Sequence, residues 1–185
     1  MDNKITFRKF IGHLKTVITH KHWVFVYACK FGIPLRGLLH DMSKFSPIEF
    51  WESVRYFDGT KSPILGAKAD KGYSLAWQHH KGRNPHHYEY WVDKLDDGGV
   101  AILMPDKYAI EMICDYLAAG RTYNGKNFTY ESELGWWRMK SGTIKMHSVT
   151  QYFVDYTFQL LASGLKLNKK DLINIYDQYK DLYKK

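Results

Sequence analysis

The sequence predicts an all-α protein that forms a single domain over residues 1–185. Apolar residues recur at three- and four-residue steps through most of the chain, which is the spacing of one buried face of a helix. No segment alternates apolar and polar residues over enough positions to predict a substantial strand. Glycine and proline stand mainly where helical patterns begin and end. We therefore expect helices around one core, without an internal repeat or a linker.

The first half of the chain contains several predicted helices of different lengths. Gly32 is a natural C-terminal stop, and Pro34 suits the first turn of the helix that follows. Ser46-Pro47-Ile48-Glu49 has the pattern of a capping box with proline at the first helical position. Residues 58–72 are rich in Gly, Lys, Ser and Pro, and we expect a loop that could act as a lid. Helices are predicted over residues 6–31, 34–45, 47 onward, 73–80, and from 87 to a stop at Asp96-Asp97-Gly98-Gly99.

The second half begins with a helix that starts at Pro105 and stops at Gly120. Residues 121–142 have an irregular pattern, and we expect Trp136 and Trp137 to cover an edge of the core. Two C-terminal helices then occupy about residues 148–184. The first covers residues 148–162, and the second is capped by Asn168.

Composition limits the class of protein. The chain is 45% hydrophobic and 16% aromatic, which suits a folded domain with a sizeable core. Cys29 and Cys114 lie inside apolar helical patterns, so we expect buried reduced thiols. No apolar run approaches the roughly 18 residues of a membrane span, and the N-terminus lacks the apolar segment of a signal peptide. A cytoplasmic protein without a membrane partner is expected.

The net charge of +8 favours anionic partners. The lysines are spread along the chain, and no basic run is interleaved with stacking aromatic residues. The charge therefore suits a phosphate-bearing small molecule about as well as nucleic acid.

One nine-residue stretch contains four of the nine histidines, in the order His79-His80-Lys81-Gly82-Arg83-Asn84-Pro85-His86-His87. Short histidine-rich tracts are typical of metal sites. Glycine and proline in its middle exclude one continuous helix, so we expect a turn with a histidine pair on each side. Adjacent side chains diverge, so we expect His80 and His86 to point inward. His79 and His87 would then support the ligands from outside or serve as alternative ligands.

Two further pairs of polar residues lie in apolar surroundings. His40 and Asp41 follow an apolar run, and a buried pair of this kind needs hydrogen bonds, an ion pair or a metal. Glu111 and Asp115 are four residues apart on one predicted helix, so their carboxylates point to the same side. Their apolar neighbours disfavour an ordinary solvated face.

The first helix offers two candidate ligands, because His20 and His22 flank its apolar stripe on opposite sides. Periodicity does not choose between them, although His13 lies near the side of His20. Together the candidates form a mixed nitrogen and oxygen set. Such a set suits one or two divalent ions of zinc, manganese, iron or nickel, and argues against calcium or a thiolate site.

These residues resemble the HD superfamily of metal-dependent phosphohydrolases, and more specifically a family of uncharacterised HD-like domains of unknown function. The match covers residues 10–125 approximately, and the combination of motifs is specific. The motifs are His20-Lys21, His40-Asp41-Met42-Ser43-Lys44, the stretch from His79 to His87, and Glu111-Met112-Ile113-Cys114-Asp115.

The resemblance implies an HD-like helical core with His20, His40, Asp41 and Asp115 around a first metal ion. His80, His86 and the remaining histidines would suit a second ion. The resemblance thus favours His20 over His22. The step from His20 to His40 is shorter than is usual in HD enzymes, so the first helix pair is expected to be arranged differently.

The function that this resemblance implies is hydrolysis of a nucleotide or another phosphoester by a metal-activated water. Asp41 or Glu111 would orient the water or act as general base. Lys44, Lys81 and Arg83 would hold phosphate.

Two other classes stay open at the level of the sequence. A histidine-rich binuclear site also resembles HD-fold proteins that use iron to activate oxygen, so a diiron oxygenase is possible. A non-catalytic domain that is stabilised by metal and binds nucleotide or protein is the third class. The identity of the metal separates the first two, and turnover separates an enzyme from a binding domain.

Overall fold

The computed structural model describes residues 4–93 and 98–183, and this part of the chain is all-α apart from one short antiparallel pair of strands. The strands are β1 (Val92–Asp93) and β2 (Val100–Ala101), and Val92 pairs with Ala101. Short 3₁₀ helices span Met42–Phe45, Tyr88–Trp91 and Gly125–Asn127. The α-helices are α1 (Phe7–Lys30), α2 (Pro34–Leu39), α3 (Pro47–Tyr56), α4 (Pro63–Lys71), α5 (Leu75–Lys81), α6 (Asp106–Asn124), α7 (Tyr130–Ser141), α8 (Ser148–Ala162) and α9 (Lys169–Tyr183).

The core forms where α6 packs against α1 on one side and near α7, α8 and α9 on the other. Both central helices contribute fully buried side chains, such as Val24 of α1 and Leu117 of α6. The core continues into the C-terminal helices through Phe153 and Leu172. None of the helices in the described part of the chain is long and apolar enough to cross a membrane.

The predicted boundaries of α1 and α8 and the predicted cap of α9 agree with the structure to within a residue. Thr6 caps α1 by accepting a hydrogen bond from the Lys9 backbone N–H at 3.2 Å. The α8 helix spans Ser148–Ala162 as predicted. Asn168 accepts hydrogen bonds from the backbone N–H groups of Lys170 and Asp171 at the start of α9. In these places local capping chemistry determined the boundary.

The second predicted helix, over residues 34–45, is wrong in its extent. It ends at Leu39, and Asp41 adopts a left-handed backbone conformation with φ 53° and ψ 31°. Asp41 is the one described residue other than glycine with a positive φ. Aspartate and asparagine tolerate this conformation better than most side chains do. The break turns the chain between His40 and the 3₁₀ helix that follows.

The prediction of a loop over residues 58–72 is also wrong, because most of the segment is α4. Pro63 occupies the first turn of this helix, and Gly72 ends it with φ 80°. Pro63, Gly66 and Ala67 are buried, and a Cβ atom at Gly66 would lie 3.3 Å from Tyr56 Cβ. The expected lid is therefore a packed helix.

Gly120 does not stop its helix as predicted, since α6 continues to Asn124. Phe128 and Glu133 pack directly against Gly120, where a larger side chain would overlap them. The glycine is therefore required by a close approach of α7 rather than by a turn. The helix ends instead at Gly125, which has φ 53°.

Three smaller expectations have mixed outcomes. The region around Trp136 and Trp137 forms the regular helix α7, and Trp137 is fully buried in the core rather than at its edge. Cys114 is a buried free thiol as predicted, whereas Cys29 is exposed. The predicted stop at Asp96-Asp97-Gly98-Gly99 falls partly on residues 94–97, outside the described residues.

Candidate metal centre

The candidate centre lies where three helices and two turns meet. The early helix α1 and the central helix α6 each contribute one side chain, His20 and Asp115. The turn that follows α2 contributes two adjacent residues. Helix α5 and the turn that follows it together contribute three histidines. These five residues are His40, Asp41, His80, His86 and His87.

The first ligand set comprises His20, His40, Asp41 and Asp115, each with one ligand atom within 4.8 Å of the others. His20 Nε2 lies 3.0 Å from Asp115 Oδ1, and His40 Nε2 lies 3.4 Å from the same oxygen. His40 Nε2 also lies 3.2 Å from Asp41 Oδ2. Two imidazole nitrogens and two carboxylates thus converge on one point, which is a ligand set that divalent transition metals accept.

The second ligand set comprises Asp41, His80, His86 and His87. His80 Nε2 lies 3.3 Å from Asp41 Oδ1, and His86 Nε2 lies 3.4 Å from the same atom. Asp41 therefore directs Oδ1 towards the second set and Oδ2 towards the first. A carboxylate in this position can bridge two metal ions.

The unpaired atoms of these side chains fit metal binding. The Nε2 atoms of His20, His40, His86 and His87 and both oxygens of Asp41 are buried and make no well-directed hydrogen bond. Some of them lie in short ion-pair contacts instead, such as His20 Nε2 with Asp115 at 3.0 Å and Asp41 Oδ2 with Lys44 at 2.6 Å. Buried polar atoms are nearly always paired, because leaving them unpaired costs free energy. These six atoms converge on the two ligand sets, whereas the other described buried atoms without a hydrogen-bond partner belong to residues outside them. Bound divalent ions would satisfy them together.

Glu111 contacts two of the histidines through their Nδ1 atoms, not through the Nε2 atoms of the ligand sets. Its Oε1 atom lies 3.1 Å from His40 Nδ1 and 3.4 Å from His86 Nδ1. Arg36 holds the other oxygen, with Nε and Nη2 each 2.7 Å from Oε2. A carboxylate that accepts the Nδ1–H of an imidazole orients the ring and leaves Nε2 free for a metal. His40, His86 and Glu111 also form a third group that could hold a metal ion. Because both Glu111 oxygens are already engaged, we interpret this group as support for the two ligand sets.

Glu49 contacts a different pair of histidines, His79 and His80, and it also does so through their Nδ1 atoms. Its two oxygens lie 2.7 Å from His80 Nδ1 and 2.5 Å from His79 Nδ1. Ser46 makes no side-chain capping bond at the start of α3, so the predicted capping box is wrong. Glu49 is buried and committed to the histidines instead.

Burial and ion pairing determine the charges of the centre. Burial alone would lower the pKa of His40, but Asp41, Asp115 and Glu111 outweigh it and raise that pKa well above its usual value. Burial alone would raise the pKa of Asp41, but His40 and Lys44 hold it well below its usual value. Lys44 Nζ lies 2.6 Å from Asp41 Oδ2. Metal binding at His40 is therefore expected to release a proton.

Two cavities reach the ligand sets from different sides and share no lining residue. One has a volume of about 220 Å³ and is reached by His20, His80, His87 and Asp115. The other has a volume of about 260 Å³ and is reached by His40, Asp41 and His86. Lys44 lines the first cavity, whereas Arg36 and Arg83 line the second. The centre can thus be approached through two separate cavities.

The comparison with known proteins identifies a family through most of the chain. The family model described as "Family of unknown function (DUF5662)" matches residues 9–160. The chain belongs to this family. No curated protein and no solved structure matches it. Membership in DUF5662 agrees with the resemblance to a family of unknown function, whereas the relation to HD enzymes remains a proposal.

The structure of this DUF5662 chain changes the expected roles of several residues. His22, which was predicted as an alternative ligand, lies outside both ligand sets, and its side chain is exposed beside Trp23. At 100° per residue, it points about 200° away from His20. His79 stays outside the ligand sets, as expected. His87 joins them together with His86, because the turn that contains Pro85 directs both rings inward.

The expected phosphate-binding residues do not lie together. Lys44 and Arg83 line different cavities, and Lys81 lines neither of them. Glu111 has both oxygens engaged by Arg36 and the two imidazoles, which does not fit its expected role as a general base.

Two supporting residues were missed in the sequence. Glu49 was assigned to a capping box, whose pattern it matches. Arg36 precedes His40 by four residues, a spacing that would place both on one face of the predicted helix over residues 34–45. That spacing was an available signal for Arg36, whereas the contacts of Glu49 with His79 and His80 depend on the packing of α3 against α5.

Lys21 is expected to hold the turn that carries His40 and Asp41. Its Nζ atom donates to the His40 carbonyl at 2.5 Å and to the Leu38 carbonyl at 3.3 Å. We predict that Lys21→Met lowers the free energy of unfolding by about 1–3 kcal/mol and weakens metal binding. Chemical denaturation and metal titration would measure the two effects. Lys15→Met, at an exposed position of the same helix, is the control. Equal effects from both variants would contradict the prediction.

His13 is expected to make the metal-free protein less stable in acid. Burial, and then Lys44, lower its pKa from 6.5 to about 4. Because the folded-state pKa lies below the unfolded one, the unfolded state binds this proton first as the pH falls. The contribution of His13 is present above pH 6.5 and is lost between pH 6.5 and 4, by about 3 kcal/mol at most. In His13→Leu, the free energy of unfolding should fall by that much less between pH 6.5 and pH 4 than it does in the unmodified chain. An equal fall in both proteins would contradict the prediction.

Proposed function

We propose that this chain is a metal-dependent phosphohydrolase of the HD type, which uses two ligand sets joined by Asp41. The single observation that carries the proposal is the division of the Asp41 oxygens between those sets. His20, His40 and Asp115 would complete the first set, and His80, His86 and His87 the second. When bound, divalent ions polarise phosphoryl oxygens and lower the pKa of coordinated water.

The balance of charge supports a phosphate group as the substrate. Around the ligand sets, four carboxylates and two cations leave two negative charges; they are Asp41, Asp115, Glu49, Glu111, Lys44 and Arg36. Histidine ligands are neutral. Two divalent ions would reverse the balance to two positive charges, which complements a phosphate monoester of about −2. The net charge of +8 on the whole chain favours anions as well.

The protein side chains would act by holding, orienting and neutralising groups. Burial would lower the pKa of Lys44, but Asp41 and Asp115 raise it, so Lys44 stays protonated. Lys44 lines the smaller cavity and can offer an N–H to a phosphoryl oxygen. Glu111 and Glu49 would keep the Nε2 atoms of their histidines directed at the metal. Asp41, expected as ligand or base, is better suited to bridging.

A histidine-rich second set also favours one alternative. Three histidines and a bridging carboxylate suit iron, so oxidation by a diiron centre is a second candidate. The two functions differ in redox chemistry. Loss of activity on reduction or oxidation of bound iron would support the oxygenase, whereas turnover with zinc or manganese would support hydrolysis.

The test begins with protein purified without a histidine tag. Elemental analysis should find transition metal, and the loaded protein should hydrolyse members of a panel of phosphomonoesters and phosphodiesters. His20→Ala should lose metal, whereas His22→Ala, two residues away and exposed, should keep it. Metal below about a tenth of an equivalent after reconstitution would contradict a metal site. Loaded protein without phosphoester turnover would contradict the hydrolase.

A further inference from the structure

We infer that the smaller cavity binds the organic part of the substrate, and that this part is a small, mainly apolar group such as a single aromatic ring, not a nucleoside. The inference rests on the proposed function, and it names the substrate class. It concerns the cavity of about 220 Å³ that opens onto His20, His80, His87 and Asp115.

The lining of this cavity changes along its length. A large part of its wall consists of apolar side chains from four helices: Val17, Pro63, Ile64, Ala76, Trp77 and Ala119. Two threonines add little polarity, because Thr16 and Thr122 donate their hydroxyls to the carbonyls of Gly12 and Ala118 in their own helices. A threonine bonded in this way has satisfied its hydroxyl donor locally. The wall therefore favours an apolar ligand.

The charges in the cavity lie at the end nearest the metal centre. Among its lining residues, Lys44 is the one lysine or arginine, and it is paired with Asp41 at 2.6 Å. Glu49 is committed to His79 and His80. The other polar residues of the lining are His13, Ser53, Ser62 and Tyr123, and none of these supplies the fixed positive charge that a second phosphate would need. A substrate with one phosphate beside the metal centre and an apolar remainder matches this distribution.

Size gives an independent limit. A cavity of about 150 Å³ lined by apolar side chains is large enough for benzene. The volume here is about 220 Å³, which leaves room for a ring and a linking group. Pockets for larger organic ligands span roughly 300–1,000 Å³. A purine attached to a ribose is larger than one ring with a linking group, so we expect it to fit this cavity less well.

The position of Ile64 provides a sharp test. Ile64 lines the cavity and is half-buried, whereas its neighbour Leu65 on α4 is exposed and outside the cavity. Ile64→Asn changes the apolar wall, and Leu65→Asn is the matched control. Ala119→Leu provides a second variant, because it fills space one helical turn from Asp115. Elemental analysis would first establish that each variant retains metal.

Binding to metal-loaded protein would be measured by calorimetry with stable probes. Phenylphosphonate carries the ring, methylphosphonate lacks it, and a phosphonate analogue of adenosine monophosphate carries a nucleoside. We expect phenylphosphonate to bind at least about tenfold more tightly than either of the others. Ile64→Asn and Ala119→Leu should remove most of this advantage without changing the affinity for methylphosphonate. Leu65→Asn should change neither.

A neutral probe separates failure of this inference from failure of the proposed function. If phenol binds with the same dependence on Ile64 while no phosphonate binds, the apolar pocket stands and the phosphohydrolase does not. If the phosphonates bind equally with and without the ring, the phosphate site stands and the pocket assignment is overturned. Tighter binding of the nucleoside analogue than of phenylphosphonate would also overturn it.

Discussion

Asp41→Asn is expected to abolish the loading of both ligand sets, with metal content falling below about half an equivalent and turnover falling by about 10³-fold or more. Each oxygen of Asp41 faces a different set, so the two sets lose the same bridging carboxylate. Asparagine tolerates the left-handed conformation at this position, with φ 53°. The substitution therefore removes charge without adding backbone strain. Elemental analysis and turnover of a phosphoester would measure the effects.

The control for this experiment is Asp177→Asn, which changes an exposed aspartate on α9. This variant should keep the metal content and the turnover of the unmodified chain. A circular dichroism spectrum would show whether Asp41→Asn is folded. If the folded Asp41→Asn variant bound two ions as tightly as the unmodified chain does, Asp41 would not be a bridging ligand.

Asp115→Asn and Glu111→Gln are expected to separate a ligand from a residue that supports ligands. Asp115 lies 3.0 Å from His20 Nε2 and 3.4 Å from His40 Nε2, within the first set. Its loss should weaken metal binding strongly and abolish turnover, with the fold largely intact. Glu111 contacts the Nδ1 atoms behind His40 and His86. Glu111→Gln should retain metal, with metal affinity or activity reduced by about 10- to 100-fold.

Metal titration of the two variants, with turnover measured at saturating metal, distinguishes these roles. Arg36→Met should resemble Glu111→Gln, because it removes the cation that holds Glu111 Oε2 at 2.7 Å. Metal affinity in Asp115→Asn equal to that of the unmodified chain would place this carboxylate outside the centre. A complete loss of metal in Glu111→Gln would make Glu111 a ligand itself.

Local sequence determined much of the helical framework. The stripe of apolar residues in α1, the cap at Asn168 and the range of α8 could be predicted because periodicity and capping depend on neighbouring residues. Glycine and proline were less reliable, since their effect depends on where they pack. Gly120 lies inside α6 because α7 approaches it closely, and Pro63 begins a helix in a segment that was predicted to be a loop.

The residue types of the candidate ligands could also be recognised in the sequence. Histidine pairs on both sides of a turn, His40-Asp41 after an apolar run, and Asp115 among apolar residues each indicate a buried polar site that needs a partner. The choice between His20 and His22 could not be made from periodicity, because each lies beside the apolar stripe. The packing of α1 against α6 and α2 makes His20 buried and His22 exposed.

Only the tertiary structure decided how these residues are connected. It placed Asp41 between two ligand sets through a left-handed turn, and it assigned Glu49 to His79 and His80 rather than to a helix cap. It also formed two cavities that separate Lys44 from Arg83. The physical reason is that helix periodicity determines which face of a helix is buried, whereas contacts between residues far apart in the chain depend on how those faces pack together.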